Sequence, residues 1–128
     1  MAGRIVIDTS ILVDYLRGGP HWDDFFITLE EGVELFLPTI VIYELFSGKS
    51  SKNIIQKRRI ENFIKLFTKI ELSVDIAQNA GELYRDLGIN LDISDYLIAA
   101  SSLEIGAQVV TLNTKHFKKI PGLSIYPL

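Results

Sequence analysis

The sequence predicts an α/β domain with a central, mainly parallel sheet flanked by helices. Apolar runs of strand length alternate with segments of helical periodicity along the chain, an order that is typical of such folds. Two of these runs, residues 4–8 and 108–112, are rich in β-branched residues, as expected of strands buried on both faces. With 128 residues and no evident linker or repeat, residues 1–128 are expected to form one domain around one core.

The first half of the chain is predicted to contain two strands and four helices. Thr9 or Ser10 can cap the first helix, because short polar side chains accept hydrogen bonds from the free amides of a helix start. Pro38 is suited to open a later helix, since its fixed φ angle fits the first turn. The expected strands are residues 4–8 and 34–37, and the expected helices are residues 9–16, 22–31, 39–46 and 51–68.

The second half is predicted to contain three short strands and two helices. Asp75 is expected to cap the first of these helices, and Gly88 to end it. The second helix is expected to begin near Ser94 and to stop at Gly106. The expected strands are residues 70–72, 108–112 and 123–126.

Composition narrows the possible functions. There is no cysteine, so disulfides and thiolate zinc sites are excluded, and His21 and His116 lack the spacing of a zinc motif. The net charge of −3 argues against bulk electrostatic coating of nucleic acid. An RNA substrate would have to be held by local basic groups and by metal.

The apolar run at the N-terminus is too short for the core of a signal peptide, and no later apolar run is long enough to span a membrane. We therefore expect a cytoplasmic protein that does not associate with membranes.

Three acidic side chains are expected to meet at one edge of the sheet. Asp8 ends the first strand, and Glu44 lies on the helix that follows the second strand. Asp95 lies in the first turn of its helix, where the helix dipole favours an anion. Ligands of parallel sheets bind beyond the carboxyl ends of the strands. Close carboxylates repel by roughly several kcal/mol per pair, which a cation would relieve, and oxygen ligands select Mg²⁺ or Mn²⁺.

Each of these acids also has a purely structural interpretation. Asp8 can cap the following helix, Asp95 can be a first-turn acid favoured by the dipole, and Glu44 can be a solvated helix position. The surroundings of Glu44 favour a site, because its helix is otherwise largely apolar and a carboxylate there needs a partner.

Four sequence blocks carry a family resemblance. Residues 7–12, 38–45, 95–100 and 110–117 resemble the blocks of PIN domains, and more specifically those of the VapC toxins of prokaryotic toxin–antitoxin pairs. The resemblance implies a PIN-like sandwich and a divalent-metal-dependent endoribonuclease, which hydrolyses RNA phosphodiester bonds with metal-activated water, with Mg²⁺ or Mn²⁺ as cofactor. It also implies a homodimer and a cognate antitoxin that holds the enzyme inactive.

The resemblance also assigns residues. Asp8, Glu44 and Asp95 fall on the acidic positions of the family, and the fourth position, often aspartate, falls on Asn113. The carbonyl of an asparagine can coordinate a metal or hold a ligating water, but it adds no charge. A second metal ion is therefore expected to bind more weakly here.

Other polar residues are candidates for supporting roles. Thr111 and Ser10 are placed to donate hydrogen bonds to a ligand carboxylate or to a water, although hydroxyls at strand ends are often only caps. Asp92 is interpreted first as the cap of the helix near Ser94, with a water-mediated contact to the metal as the alternative.

Basic residues near the blocks are candidates for binding RNA. They are Lys49, Lys52, Arg58 and Lys115. Such residues are usually solvated surface positions. Beside an acidic metal pocket in an acidic protein, they are also the natural groups to bind phosphates.

Competing functions fit less well. A phosphoacceptor domain needs paired acids after the first strand, and a dehalogenase-like phosphatase needs a second aspartate at position 10, which is serine. A function without catalysis is the alternative: a catalytically silent interaction module that binds a protein partner through Ile54, Ile55 and Phe63. Metal binding would discriminate between this module and an enzyme.

Overall fold

The computed structural model describes residues 3–128, which fold as strands alternating with helices. The strands are β1 (Arg4–Ile7), β2 (Glu34–Pro38), β3 (Thr68–Ile70) and β4 (Gln108–Val110). The helices are α1 (Thr9–Leu16), α2 (His21–Ile27), α3 (Thr39–Ser47), α4 (Ile54–Ile64), α5 (Val74–Leu87), α6 (Ile93–Ile105) and α7 (Thr114–Phe117), with a 3₁₀ turn at Lys49–Lys52.

The four strands form one parallel sheet in the order β3-β2-β1-β4. Ile5 of β1 lies opposite Leu35 of β2 on one side and Gln108 of β4 on the other. The expected α/β architecture with a parallel sheet is therefore confirmed. Because β1 and β4 are direct neighbours, the residues that follow these two strands emerge side by side at the carboxyl edge of the sheet.

The core lies on both faces of the central strand. Ile5, Val6 and Ile7 are all buried, which explains the uninterrupted apolar run of β1. Helix α6 packs against α3, α5, α7, β1 and β4, and it is buried on most of its circumference. This central position explains its small residues Ala99 and Ala100, which let neighbouring elements approach closely.

The long helix expected over residues 51–68 is an error of the sequence analysis. The chain instead makes the 3₁₀ turn, extends at Asn53, and then forms α4, which ends at Ile64. Asn53 breaks the helix because its side-chain oxygen accepts hydrogen bonds from the amides of Ile55 and Gln56, which makes it an N-cap. The strand expected at 70–72 lies at Thr68–Ile70 instead.

Three further expectations are corrected. The helix expected over residues 22–31 ends at Ile27. The cap of α5 is Ser73, whose hydroxyl accepts from the amide of Ile76, so Asp75 is a first-turn residue and not the cap. The final strand expected at 123–126 is only a single bridge between Val109 and Ile125.

The apolar surface suggested for an interaction module is only partly available. Ile54 and Ile55 are exposed, but Phe63 is 8% exposed and stacks on Tyr15 in the core. Phe63 therefore cannot belong to that surface. In the part of the chain that the structure describes, no helix has the length and apolar character needed to cross a membrane.

Candidate active site

The carboxyl edge of the sheet opens into a cavity of about 550 Å³ that is lined mainly by polar side chains. Asp8 reaches it from the end of β1, Glu44 from α3 and Asp95 from the first turn of α6. Asn113 reaches it from the loop that follows β4. The fold thus brings together the four positions that the sequence assigned to one site.

Asp8 is buried and its carboxylate is fixed by three hydrogen bonds to one oxygen. The hydroxyls of Ser10 and Thr111 donate to Oδ2 at 2.6 and 2.7 Å, and the amide of Ser10 donates at 3.4 Å. The amide contact makes Asp8 the N-cap of α1, so the structural interpretation of this residue holds, and the expectation that Thr9 or Ser10 caps this helix is wrong. Within residues 3–128 no hydrogen bond reaches Oδ1, which leaves this oxygen as the one with free lone pairs for a ligand.

Glu44 is half-buried on the otherwise apolar helix α3, and its partner is a hydroxyl. Thr9 Oγ1 donates to Glu44 Oε1 at 2.6 Å. A neutral partner orients the carboxylate without cancelling its charge, so Glu44 still contributes negative charge to the cavity. The first two residues of α1, Thr9 and Ser10, therefore hold two different acids.

Asp95 is the acid most affected by its surroundings. Its pKa is raised, first because burial disfavours the charged form and second because of the negative charge of Asp8. The charges of Asp92 and Glu44 raise this pKa further, while His116 opposes them. The repulsion among the carboxylates that the sequence analysis assumed therefore acts on Asp95.

The supporting residues divide into those that contact the acids and one that does not. Thr111 and Ser10 make the hydrogen bonds to a carboxylate that were expected of them, and Thr111 Oγ1 also accepts from the amide of Asn113 at 2.9 Å. Asp92 occupies the N-cap position of α6, but its side chain makes no capping hydrogen bond. The preferred interpretation of Asp92 as a side-chain cap is therefore wrong, and its side chain lines the cavity.

The sequence did not assign a site role to Thr9, which donates to Glu44, or to His116 and Arg17. His116 Nδ1 lies 3.4 Å from Asp95 Oδ2, and Arg17 lines the cavity from the end of α1. The sequence position of His116 indicated its place. It lies three residues after Asn113, the N-cap of α7, and therefore stands in the first turn of that helix, above the end of β4. Arg17 carried no comparable signal, since it lies past a helix end whose position depends on packing.

The four basic candidates are distributed unevenly around the cavity. Lys49 lines a groove that adjoins the cavity and shares Arg17 and Glu44 with it. Lys115 lines a second adjoining pocket, on the side of Asn113 and His116. Lys52 and Arg58 are exposed but line neither the cavity nor these adjoining surfaces, so the structure does not place them at the site.

The donor set fits a hard divalent cation. Carboxylate oxygens from Asp8, Glu44 and Asp95 with the amide of Asn113 are the ligand types that Mg²⁺ and Mn²⁺ prefer. Within residues 3–128 no three acidic or histidine side chains are grouped closely enough to enclose an ion. Mg²⁺ is commonly bound by only one or two carboxylates with several waters, so such a cage is not a requirement.

Comparison with known proteins gives one family. A family model described as the PIN domain matches residues 5–123. The chain is 33% identical over 122 residues to ribonuclease VapC19 of Mycobacterium tuberculosis, a match that covers 92% of this chain and 95% of that protein. It is 30% identical over 132 residues to ribonuclease VapC1 of Rickettsia felis, covering 94% and 93% of the two chains.

Solved structures of similar fold lead to the same group of proteins. The structure of VapBC2 from Rickettsia felis bound to a DNA fragment from their promoter is similar with a TM-score of 0.85 and 26% identity. That match covers 96% of this chain and 97% of the other. A toxin–antitoxin complex from Klebsiella pneumoniae is similar with a TM-score of 0.78 and 25% identity, covering 97% and 99%.

Proposed function

The chain belongs to the PIN-domain family and is a ribonuclease toxin of the VapC type, and from this premise we propose that Asp8, Glu44 and Asp95 bind the divalent cation with which it cleaves RNA. We propose Mg²⁺ or Mn²⁺ as the ion, hydrolysis of a phosphodiester bond as the reaction, and Asn113 as a neutral fourth contact. Residues 1–128 act as one domain in this proposal.

The observation that carries the proposal is the meeting of these three acids in one cavity. They come from three separate elements, and the charges of Asp8 and Glu44 both raise the pKa of Asp95. A fold selected for stability alone gains nothing from such repulsion, because each unpaired carboxylate near another costs free energy. A bound cation converts this repulsion into attraction.

The protein side chains orient and charge the site. Ser10 and Thr111 fix the carboxylate of Asp8 through Oδ2, and Thr9 fixes that of Glu44 through Oε1. The ion, when bound, supplies acidification of a coordinated water and stabilisation of the charge that develops on the phosphate. Because the supporting hydroxyls are neutral, they orient the ligands without weakening their charge.

RNA binding is proposed for the cations that flank this acidic cavity. Arg17 and Lys49 lie on one side and Lys115 on the other, so a nucleic-acid backbone that crosses the cavity meets positive charge before and after it. The overall negative charge of the protein makes these local cations the available phosphate contacts.

We further propose that the enzyme acts on cytoplasmic RNA, forms a homodimer and is inhibited by a cognate antitoxin. The support is the similarity to VapC ribonucleases and to toxin–antitoxin complexes over nearly the full chain.

The decisive experiment replaces Asp8 or Asp95 by asparagine, which is neutral and of nearly the same size. Asp8→Asn and Asp95→Asn are each expected to abolish metal-dependent RNA cleavage, because one ligand charge is lost, while circular dichroism shows a folded protein. Asp75→Asn is the matched control, since Asp75 is also a first-turn aspartate but is exposed on α5 away from the cavity. Full activity of either site variant, or equal loss in the control, would refute the assignment.

A further inference from the structure

His116 is the cavity residue that nothing above assigns to a task. Its imidazole is 48% exposed, and Nδ1 lies 3.4 Å from Oδ2 of Asp95. We propose that His116 is a nitrogen ligand of the metal site, so that the site binds Mn²⁺ and later first-row ions in preference to Mg²⁺. This inference rests on the proposed function, because it assumes that Asp95 binds the ion.

The position of His116 is set by the fold. The amide of His116 donates to the carbonyl oxygen of Asn113, which begins the single turn of α7. The next residue, Phe117, is fully buried and anchors this turn against the core. The imidazole is therefore held over the end of β4, on the side of Asp95, by the packing of its neighbour.

The distance between the two side chains fits a shared ion better than a direct ion pair. A charge-assisted N–H···O bond is about 2.7 to 2.9 Å long. Two ligand atoms that bind one ion at about 2.1 Å lie roughly 3.0 to 3.4 Å apart, depending on whether the ion is octahedral or tetrahedral. The separation of 3.4 Å between Nδ1 and Oδ2 exceeds the first range and lies at the upper, tetrahedral end of the second.

A nitrogen ligand changes which metal ions the site binds most tightly. Carboxylate and amide oxygens bind Mg²⁺, Ca²⁺ and Mn²⁺, whereas imidazole suits transition metals, and affinity for N and O sites rises from Mn²⁺ through Co²⁺ and Ni²⁺. An imidazole at position 116 adds one nitrogen donor to the oxygen donors of the cavity. Mg²⁺ gains least from such a donor.

The direct test is electron paramagnetic resonance of Mn²⁺ bound to untagged protein. A bound histidine nitrogen gives a nuclear coupling in the pulsed spectrum, and the chain has only two histidines. We expect the coupling in the wild type and in His21→Asn, the matched control, and its loss in His116→Asn. Absence of the coupling in the wild type, or its persistence in His116→Asn, would overturn the proposal.

A second measurement compares metal affinities by displacing bound Mn²⁺ with Mg²⁺. In His116→Asp, where an oxygen replaces the nitrogen, the preference for Mn²⁺ over Mg²⁺ is expected to fall roughly tenfold, the lower end of the effect of altering a metal site. A preference that stays within about twofold of the wild type would contradict a ligand role for His116.

The two proposals fail in distinguishable ways. If Mn²⁺ binds the wild type and is lost in Asp8→Asn, but no nitrogen coupling appears, the acidic site stands and His116 is not a ligand. If Mn²⁺ binding is the same in Asp8→Asn and Asp95→Asn as in the wild type, the acidic site itself is refuted.

Discussion

At the scale of single residues, the two carboxylate oxygens of Asp8 have different surroundings, which leaves room for a structural role and for the proposed functional one. Its Oδ2 caps α1 and accepts two hydroxyl donors, while its Oδ1 is left without a hydrogen bond from residues 3–128. The sequence alone presented the cap and the ligand as alternatives, whereas the two oxygens allow both.

Removing the hydroxyl of Thr111 should leave the carboxylate of Asp8 less firmly oriented. Thr111→Val loses the bond to Asp8 and leaves the amide of Asn113 without its acceptor. We expect metal affinity to fall by roughly tenfold or more and stability by about 1 to 3 kcal/mol. Mn²⁺ titration and urea unfolding would measure these changes, with Thr111→Ser as the control that keeps the hydroxyl. If Thr111→Val bound metal as tightly as the wild type, the hydrogen bond from Thr111 to Asp8 would not contribute to metal affinity.

The raised pKa of Asp95 predicts a pH dependence of stability without metal. A carboxyl whose pKa is higher in the folded state stabilises the fold below its unfolded value, near 3.8, and this contribution is lost as pH rises through the folded pKa. Asp95→Asn imitates the protonated form, so it should raise the Tm at pH 7 and have a shrinking effect towards pH 4. Thermal melts in metal-free buffer check this; a variant less stable than wild type at pH 7 would contradict it.

Asn113 adds no charge to the proposed site. Restoring the acid with Asn113→Asp should lower the Mn²⁺ concentration that gives half-maximal cleavage, because a second ion would no longer depend on the substrate phosphate alone. Identical titration curves for wild type and Asn113→Asp under single-turnover conditions would place residue 113 outside the metal shell, and Asp92 would then be the next candidate.

Residue-level prediction succeeded where a position follows directly from a strand end or a helix start. Asp8 and Asp95 belong to this class and line the cavity, and Thr111, which follows β4, donates a hydrogen bond to Asp8. Arg17 could not be found in this way, because its place beside the cavity depends on how the end of α1 packs. Asp92 was misinterpreted, because a backbone N-cap position does not guarantee that the side chain makes the capping bond.

At the scale of elements, the errors share a physical cause. The apolar stripe of residues 51–68 begins only at Ile54, after the break at Asn53, and it runs on to Phe67 although α4 ends at Ile64, so periodicity alone did not give the helix ends. β3 has only three residues, which are too few for a side-chain pattern, and it is stabilised by its neighbour in the sheet.

Gly106 provides a test that separates the fold from the site. It ends α6 with a φ of +64°, and a Cβ there would have nothing within 4 Å, so the cost of Gly106→Ala is conformational only. We expect a loss of about 1 kcal/mol in unfolding free energy with cleavage unchanged at low temperature. Denaturant unfolding and a cleavage assay decide this. A variant as stable as wild type, or one that is folded but inactive, would contradict the expectation.

At the scale of the whole molecule, metal binding and folding should be coupled. An ion that binds only the folded state, at about one hundred times its Kd, adds about 2.7 kcal/mol, or roughly 10 °C in Tm for a domain of this size. Melts with EDTA and with increasing Mn²⁺ measure the effect, and Asp8→Asn should lose it. A midpoint that does not move across millimolar metal would count against the site.

The pairing of β1 with β4 also orders events in time. Asp8 is synthesised 103 residues before Thr111, whose hydroxyl donates a hydrogen bond to the carboxylate of Asp8. Asp95 and His116 also come late in the chain. A nascent chain on the ribosome therefore carries its first acid long before the cavity exists, and the contacts that assemble the cavity are among the most distant in the fold. In the proposed mechanism, cleavage therefore requires that β4 has docked beside β1.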